Sequence, residues 1–512
     1  MKKLCRNQQL KQLGSQTFDI LVIGGGATGA GIALDAASRG LSVALVERND
    51  FASGTSSHSS KLIHGGVRYL EAAVTRLDLA QWRLVREALR ERAILLDIAP
   101  HRIRPLRTLV PARSWYQLLR HRIGLWLYDR AAGRTLIAPS TLLSCQQMLA
   151  SFPHLESTRL KGGVAYHDAS FDDARMVISL LLTAVQRGAV IANHMETEGF
   201  EETNGRLSAA RVTNRLDGSR HQVRARVIIN ATGPYSDHLR QLEHPANKSR
   251  LTLSRGSHLV LDKSWSPAND ALLIPSTSDG RVLFVLPWQG HTLIGTTDVP
   301  ASIQDDLLPA REEEQYLLDH LQQWFAVDTC THNILARWAG LRPLIATSAT
   351  DTAGIVREHL VETGRKGLVS VLGGKWTTYR KMAEEAVDHA IVTARLQPSG
   401  PCVTRTLKLL GTEGYTPGLA GQLMTGFGLA EDIALHLVHA YGGLAQTLLE
   451  HAGQQGHRRL LAGHPYIRAE IAWAREREMA VTNEDILLRR LRIGMLDEQA
   501  ACRLAARIAL ET

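Results

Sequence analysis

The sequence predicts an α/β protein that carries an inserted antiparallel sheet and ends in helices, on three observations. Residues 18–47 read as strand, glycine-rich turn, helix, strand and acid; residues 251–300 alternate β-branched and polar residues between turns; from about residue 400 the pattern turns helical. At 512 residues the chain exceeds one ordinary core, so two or three domains are expected. Hydrophobic residues make up 44% and charged residues 21%, a composition that argues against long disordered tracts.

The first element is the most specific. In FDILVIGGGATG the β-rich run Ile20 to Ile23 leads into Gly24, Gly26 and Gly29 at the spacing G-x-G-x-x-G, and AGIALDAASRG continues with helical spacing to a stop at Gly40. Gly24 permits the tight turn, Gly26 lets the backbone approach a pyrophosphate, and Gly29 lets the helix pack closely; the helix N-terminus adds amides and partial positive charge. The second strand, LSVALVE, closes on Glu47, which would accept hydrogen bonds from a ribose. A dinucleotide site in a Rossmann-like fold follows.

A nicotinamide enzyme usually continues with further strand–helix units, whereas this chain goes straight to TSSHSSKLIHGGVRYLE, residues 55–71. Hydroxyls and flexible backbone suit a phosphate or a planar ring, while lysine and arginine suit a fixed anion. FAD is therefore favoured over NAD, with Thr55, Ser56, Ser57, Lys61, Leu62, His64, Gly65 and Gly66 along it. The strand RVIINATGPY ends in Ala231, Thr232 and Gly233, whose small size allows another backbone close to the nucleotide. In LVSVLGGKWTTYRK, Gly374, Lys375 and Thr377 lead into a helix whose N-terminus would stabilise negative charge on a reduced flavin ring.

The expected architecture is a discontinuous FAD-binding domain of the glutathione-reductase type (18–95, 160–235, 352–395) with an inserted antiparallel-sheet substrate domain (96–159, 236–351). A C-terminal helical domain (396–512) and a basic N-terminal extension (1–17) complete it. The five cysteines are scattered without a CxxC pair, so no metal site and no disulfide framework is expected, and they suit a reducing compartment. The N-terminus lacks a signal-like apolar core, and a cytoplasmic origin is expected. The net charge of +9 would attract an acidic surface, and no nucleic-acid-binding module accompanies it, so no nucleic-acid partner is expected.

Taken together, IGGGATGAGIALDAASRGLSVALVE, TSSHSSKLIHGGVRYLE, RLVREALRERAILLDIAPH, NATGP, RGSHLVL, IGTTDV, GLRPL and GGKWTTYRK resemble the motifs of the FAD-dependent, quinone-linked glycerol-3-phosphate dehydrogenases, in order over residues 18–390. The helical tail, including LRRLRIGM, resembles that family more loosely. The resemblance implies oxidation of sn-glycerol 3-phosphate at C2 to dihydroxyacetone phosphate by non-covalently held FAD, with a quinone as acceptor. It also implies peripheral association with the acidic inner face of the cell membrane; the C-terminal helices are open to a homodimer interface, a membrane face or a simple cap.

Carried over by motif, Arg342 and Arg357 would hold the phosphate, Lys375 would lie near flavin and substrate, Arg68 and Tyr69 would line the same pocket, and His258 would face the carbon to be oxidised. The residue types agree with that chemistry, because a phosphate dianion is fixed best by more than one guanidinium. A histidine titrating near neutral pH suits the hydroxyl proton, although Arg342 and Lys375 could instead stabilise the alkoxide while water takes it. Another polyol phosphate, such as a four-carbon alditol phosphate, and oxygen as acceptor remain open. Retention of a base beside a phosphate clamp argues against a non-catalytic binding protein. Trp376, His359 and His58 depart from the family pattern; Trp376 would either reshape the pocket or point into the core. Trp288 is expected to pack against the pocket or the sheet. Arg489, Arg490 and Arg492 are expected close together on a helix, meeting lipid phosphate or forming a solvated charged face.

Overall fold

Continuous runs of buried aliphatic residues specify a sheet covered on both faces. In the first strand, Thr17–Ile23, Ile20 and Val22 pack against the helices Ala27–Ser38, Asp173–Gln186 and Tyr379–Ala394. The alternate residues Leu21 and Ile23 belong to a second core with Met195, Leu207 and Val212. The computed structural model describes residues 3–67, 78–303, 308–326, 334–346 and 359–510.

Across the sheet the strands run His359–Thr363, Val369–Gly373, Arg220–Asn230, Thr17–Ile23, Val43–Val46 and Val190–Ala192. All of these pairs are parallel except the one at the His359–Thr363 edge. The C-terminal ends of the four inner strands therefore gather at one edge, where an open α/β sheet binds its ligand. At the other edge, the basic N-terminal segment forms the helix Arg6–Ser15 and lies on the sheet. Gln9 Oε1 accepts from the Ile191 amide (3.0 Å), and the Arg6 guanidinium donates to Asn193 O (2.8 Å) and Asn214 Oδ1 (3.0 Å). A strand edge that would invite another chain is thereby covered.

The second sheet is built around Leu251–Leu261, which pairs antiparallel with Ala336–Ile345, His291–Gly295 and Val299–Ala301, as the alternation predicts. Two segments expected with the FAD-binding part belong here instead. Gly162–Phe171 forms a full antiparallel ladder with Ile103–Ala112, from Ile103↔Phe171 to Ala112↔Gly162, and Leu62–Ile63 adds to its other side. That long ladder is the pairing partner the parallel sheet does not offer, and it carries the end of the 55–66 loop onto the second sheet.

The tail is helical, with Leu419–Phe427, Glu431–Tyr441, Leu444–Gly456, Arg468–Arg477 and Glu498–Leu510 enclosing two small cores. Its arginines overturn both surface expectations. Arg489, Arg490 and Arg492 are buried, because two carboxylates of the FAD-binding part wait for them inside. Arg490 Nη1 and Arg489 Nε donate to Asp50 Oδ2 at 2.8 and 2.7 Å, and Arg492 Nη2 donates to Asp173 Oδ1 at 2.9 Å. Burial pushes both carboxyls up, yet their cationic partners hold Asp50 and Asp173 below the ordinary aspartate value.

Arg490 makes two of the hydrogen bonds to Asp50, and removing it leaves that buried carboxylate with Arg489 as its single cationic partner among the described residues. Arg490→Met should therefore lower stability by about 1.5–3 kcal/mol, read as a shift in the urea midpoint of the FAD-loaded protein. Both depressed carboxyls stabilise the fold above the unfolded aspartate pKa of about 3.9, and that stability is lost as pH falls through their lower native values. Acid denaturation of Arg490→Met should begin at higher pH than in the parent.

Candidate active site

The dinucleotide turn forms where the glycines allow it. Gly24 takes a positive φ of +110°, and a Cβ there would lie 2.5 Å from Ala231 O, so the turn passes directly against the Ala231–Gly233 segment. A Cβ on Gly29 would fall 1.8 Å from Gly24 O, which confirms close helix packing as the reason for the third glycine. Glu47 follows the second strand as expected. Its Oε2 accepts from the Gly25 amide (2.6 Å) and its Oε1 from the Asn49 amide (2.9 Å), and burial nevertheless raises its pKa. The half-buried carboxylate keeps further lone pairs for a ribose.

The loop that follows is laid between the two sheets. Ser56 Oγ accepts from the Ala27 amide (2.9 Å) at the N-terminus of the helix Ala27–Ser38, while Thr55 Oγ1 donates to Leu341 O (2.6 Å) in the substrate sheet. Ser57 Oγ meets His58 Nδ1 at 3.1 Å. Farther on, the Gly65 amide donates to Tyr128 OH (2.8 Å), Gly66 takes φ +82°, and His64 O accepts from Thr377 Oγ1 (3.4 Å). Trp376 Nε1 donates to Ser56 O (3.0 Å) and its ring meets Phe171 edge-on at 4.9 Å. Partly buried and packed against the first core, Trp376 ties the Gly374–Lys375 turn to the loop. Gly24, Ser56, Ala231 and Thr377 thus converge, leaving amides, hydroxyls and glycine backbone to meet a dinucleotide; this donor set fits FAD.

Lys61 requires a correction. Its ammonium donates to Ser57 O, Ser59 O and Asp173 Oδ2, each at 2.8 Å, so all three protons are used inside the protein and none is left for the cofactor. Only its backbone, at φ +58°, remains to line the loop. Burial pushes the Lys61 pKa down to about 8, with Arg492 acting in the same direction and Asp173 opposing it.

Two of the residues expected at the substrate, His258 and Arg342, lie on one face of the second sheet. Side chains alternate along a strand, so Ser254, Gly256 and His258 share a face, as do their cross-strand partners Arg342, Gly340 and Trp338. The glycines clear the floor between imidazole and guanidinium: a Cβ on Gly256 would sit 2.0 Å from Arg342 Nη2, and one on Gly340 would sit 2.8 Å from the His58 Cβ. Arg342 donates to Thr296 Oγ1 (2.8 Å) and Thr297 O (3.0 Å), with Asp298 Oδ1 at 3.5 Å. His258 stacks on Trp338 with ring centres 4.1 Å apart, and its Nε2 lies 2.9 Å from Ser60 Oγ. On the same indole sits the Lys61 ammonium at 4.1 Å. Burial, then Lys61 and Arg342, depress the His258 pKa well below the usual histidine value, so the ring is held neutral. Burial likewise lowers His58 to about 4.

Several expected residues are thus brought together, and others are placed elsewhere or left out. His258, Arg342 and the 55–61 loop share the sheet face; Lys375 is half-buried and begins the turn Trp376–Thr378. Arg68, Tyr69 and Arg357 lie outside the described residues. His359 serves structure, with its Nε2 2.7 Å from Glu385 Oε2, and Trp288 is buried beside Lys61 and Arg492 as expected for a packing residue. Ser60, Asp173 and Trp338 escaped the sequence reading. Ser60 stood in the quoted motif, but nothing in the sequence told which of its hydroxyls would reach His258.

Comparison with known proteins agrees with this geometry. Residues 19–380 match the family model described as FAD dependent oxidoreductase, and residues 402–511 match the C-terminal domain of alpha-glycerophosphate oxidase. The chain is similar to the mitochondrial glycerol-3-phosphate dehydrogenase of Homo sapiens, at 42% identity over 97% of this chain and 70% of that protein. It is 40% identical to the mitochondrial glycerol-3-phosphate dehydrogenase of Arabidopsis thaliana, over 96% of this chain and 82% of that one. Among solved structures it resembles the glycerol-3-phosphate dehydrogenase from Bacillus halodurans complexed with FAD, with a TM-score of 0.76, 30% identity, and coverage of 99% and 96% of the two chains. The combined evidence of turn, loop and these relatives places the chain in the family of FAD-dependent glycerol-3-phosphate dehydrogenases.

Proposed function

We propose that the protein oxidises sn-glycerol 3-phosphate at C2 to dihydroxyacetone phosphate and passes the electrons to a quinone at the inner face of the cell membrane. The observation that carries this reading is the shared sheet face on which a neutral histidine and a guanidinium flank a glycine floor, under a loop that also caps the dinucleotide helix. The relatives named glycerol-3-phosphate dehydrogenase support the choice of substrate.

Bound FAD would supply the two-electron acceptor, held by the Gly24–Gly29 turn, Glu47, the 55–57 hydroxyls, Ala231–Gly233 and the Gly374–Thr377 turn. Arg342 neutralises and orients the phosphate, exchanging its weak ionic contact with Asp298 for charge-assisted hydrogen bonds. By family motif Arg357, Arg68 and Tyr69 would complete the phosphate side, and Lys375 would serve both substrate and cofactor. As the C2–H leaves with its electron pair, the C2 hydroxyl must lose a proton, and Nε2 of His258 receives it once the substrate hydroxyl replaces Ser60 Oγ on that nitrogen. Trp338 fixes the plane of that imidazole. Its neutrality is a benefit, because a base must be unprotonated before the reaction begins.

Anaerobic addition of glycerol 3-phosphate should bleach the flavin absorbance, and a quinone analogue should restore it; bleaching by a four-carbon polyol phosphate alone would transfer the reading to that substrate, and recovery with oxygen but not quinone would change the acceptor. Arg342→Ala should weaken substrate binding by roughly 10- to 150-fold with FAD retained, and loss of FAD would reassign the residue to the cofactor. His258→Asn should slow bleaching by about 10²–10⁴-fold at saturating substrate. In the parent, that rate should stay flat as pH falls through about 6.5, the unperturbed histidine pKa, because the native value lies well below it. A half-maximal rate at that pH that His258→Asn leaves in place would rule out His258 as the base.

A further inference from the structure

A base that takes a proton at every turnover must also lose it, and the surroundings of His258 restrict the way out. The side chain is enclosed, at 2% exposure, and one face of its ring lies on Trp338. The backbone of the neighbouring strand runs along the edge that carries Nε2. A Cβ on Gly295, the cross-strand partner of His258, would sit 2.3 Å from Cδ2 and 2.8 Å from Nε2. Nδ1 is sealed and meets no partner at hydrogen-bonding geometry, although the Gly256 backbone lies close enough to favour a proton on the ring. Among the described residues Nε2 has a single polar contact, Ser60 Oγ at 2.9 Å.

The other groups around the imidazole are not free to take that proton. Lys61 is already an ammonium at neutral pH, and its three protons go to Ser57 O, Ser59 O and Asp173. Asp173 is committed in turn to Lys61, Ser59 and Arg492, and its cationic partners hold it below the ordinary aspartate value. Arg342 is a donor only. His58 has its Nδ1 3.1 Å from Ser57 Oγ and 2.9 Å from Gly54 O, and burial keeps its ring neutral. Ser60 differs from all of these. It is half-buried where His258 is enclosed, and a hydroxyl can donate to a neutral Nε2 or accept from a protonated one. Burial, Lys61 and Arg342 together make an imidazolium unfavourable here, so its proton leaves readily once an acceptor is in place.

We propose that Ser60 is the proton outlet of the reaction, a hydroxyl relay that empties His258 between turnovers. The inference rests on the reading of His258 as the base. While substrate is bound, its C2 hydroxyl holds Nε2 and Ser60 stands aside. When product departs, Ser60 Oγ returns to Nε2. The Nε2–H bond then breaks and an O–H bond forms on Ser60, whose own proton passes to a solvent water. Imidazole and hydroxyl both end neutral, one positive charge reaches solvent, and no electron moves.

The test separates the first turnover from those that follow, in the FAD-loaded enzyme, with Ser60→Ala and with two replacements of one shape, Ser60→Thr and Ser60→Val. Stopped-flow bleaching by saturating glycerol 3-phosphate reads the first turnover, which begins from a neutral His258. Steady-state reduction of a saturating artificial electron-acceptor dye reads the rest. Ser60→Ala and Ser60→Val should bleach at least as fast as the parent, because no hydroxyl competes for Nε2, yet turn over at least about tenfold more slowly. Ser60→Thr should recover most of that loss. In a His258→Asn background, Ser60→Ala should add no further loss. Parental turnover in Ser60→Val overturns the proposal, as does a first bleaching slowed as much as turnover. A threonine variant as slow as the valine one also overturns it, since shape would then be the cause. A parent that glycerol 3-phosphate does not bleach defeats the proposed reaction, and His258→Asn bleaching at the parental rate defeats its base; either removes the relay whatever Ser60 does.

Discussion

Two buried aspartates hold the molecule's parts in relation to one another. Asp50 lies just beyond the second strand of the parallel sheet and Asp173 begins a helix behind the cofactor loop, and each is fully enclosed. Neither could stay ionised there alone. Arg489 and Arg490 reach Asp50 from the helical tail, and Arg492 and Lys61 reach Asp173 from the tail and the loop. The tail is thereby joined to the cofactor-binding part by charges that water cannot screen, and separating the two would expose or strand them.

The same network reaches the chemistry. Asp173 fixes Lys61, and it also accepts from the Ser59 amide and hydroxyl, so the loop 57–61 is tethered from beneath. Lys61 is held over Trp338, Trp338 carries His258, and Ser60 of the same loop meets that histidine. A residue at the far end of the chain, Arg492, thus shapes the surroundings of the proposed base without approaching it, by holding Asp173 and by donating to Ser57 O (3.2 Å). Further along the loop, Tyr128 and Asp168 clamp the Gly65 turn, and Arg92 supports Asp168. Other parts of the family-like sequence are structural by the same logic: Arg380 makes a two-pronged pair with Glu91, at 2.7 and 2.6 Å, pinning the helix after the Gly374 turn to the helix Leu79–Ile98.

Much of this was legible in the chain because local geometry fixed it. The glycines at 24, 26 and 29 read as a dinucleotide turn since a side chain at 24 or 29 would strike backbone and one at 26 would meet Ser56, and the alternation in 251–300 read as an antiparallel sheet since one face must be buried. The cofactor loop was found because hydroxyls, glycines and cations cluster within it. The role of Lys61 was misread for the same reason: a lysine among glycines and hydroxyls resembles an anion site, and only the fold places Asp173 beneath it. The arginines of LRRLR looked like a surface patch because a run of cations is usually solvated, and their carboxylate partners lie more than 300 residues away in sequence.

The sequence by itself determined the cofactor class and the kind of sheet, because these depend on patterns only a few residues long. Tertiary structure alone decided which sheet Gly162–Phe171 joins, that Trp376 ties a turn to the loop, and that Trp115, Leu119, Ile123 and Trp126 face outward. Each depends on a partner distant in the chain, or on the absence of burial along one face. No local spacing encodes either, since a stripe of tryptophan and leucine reads the same whether it meets a core or a membrane.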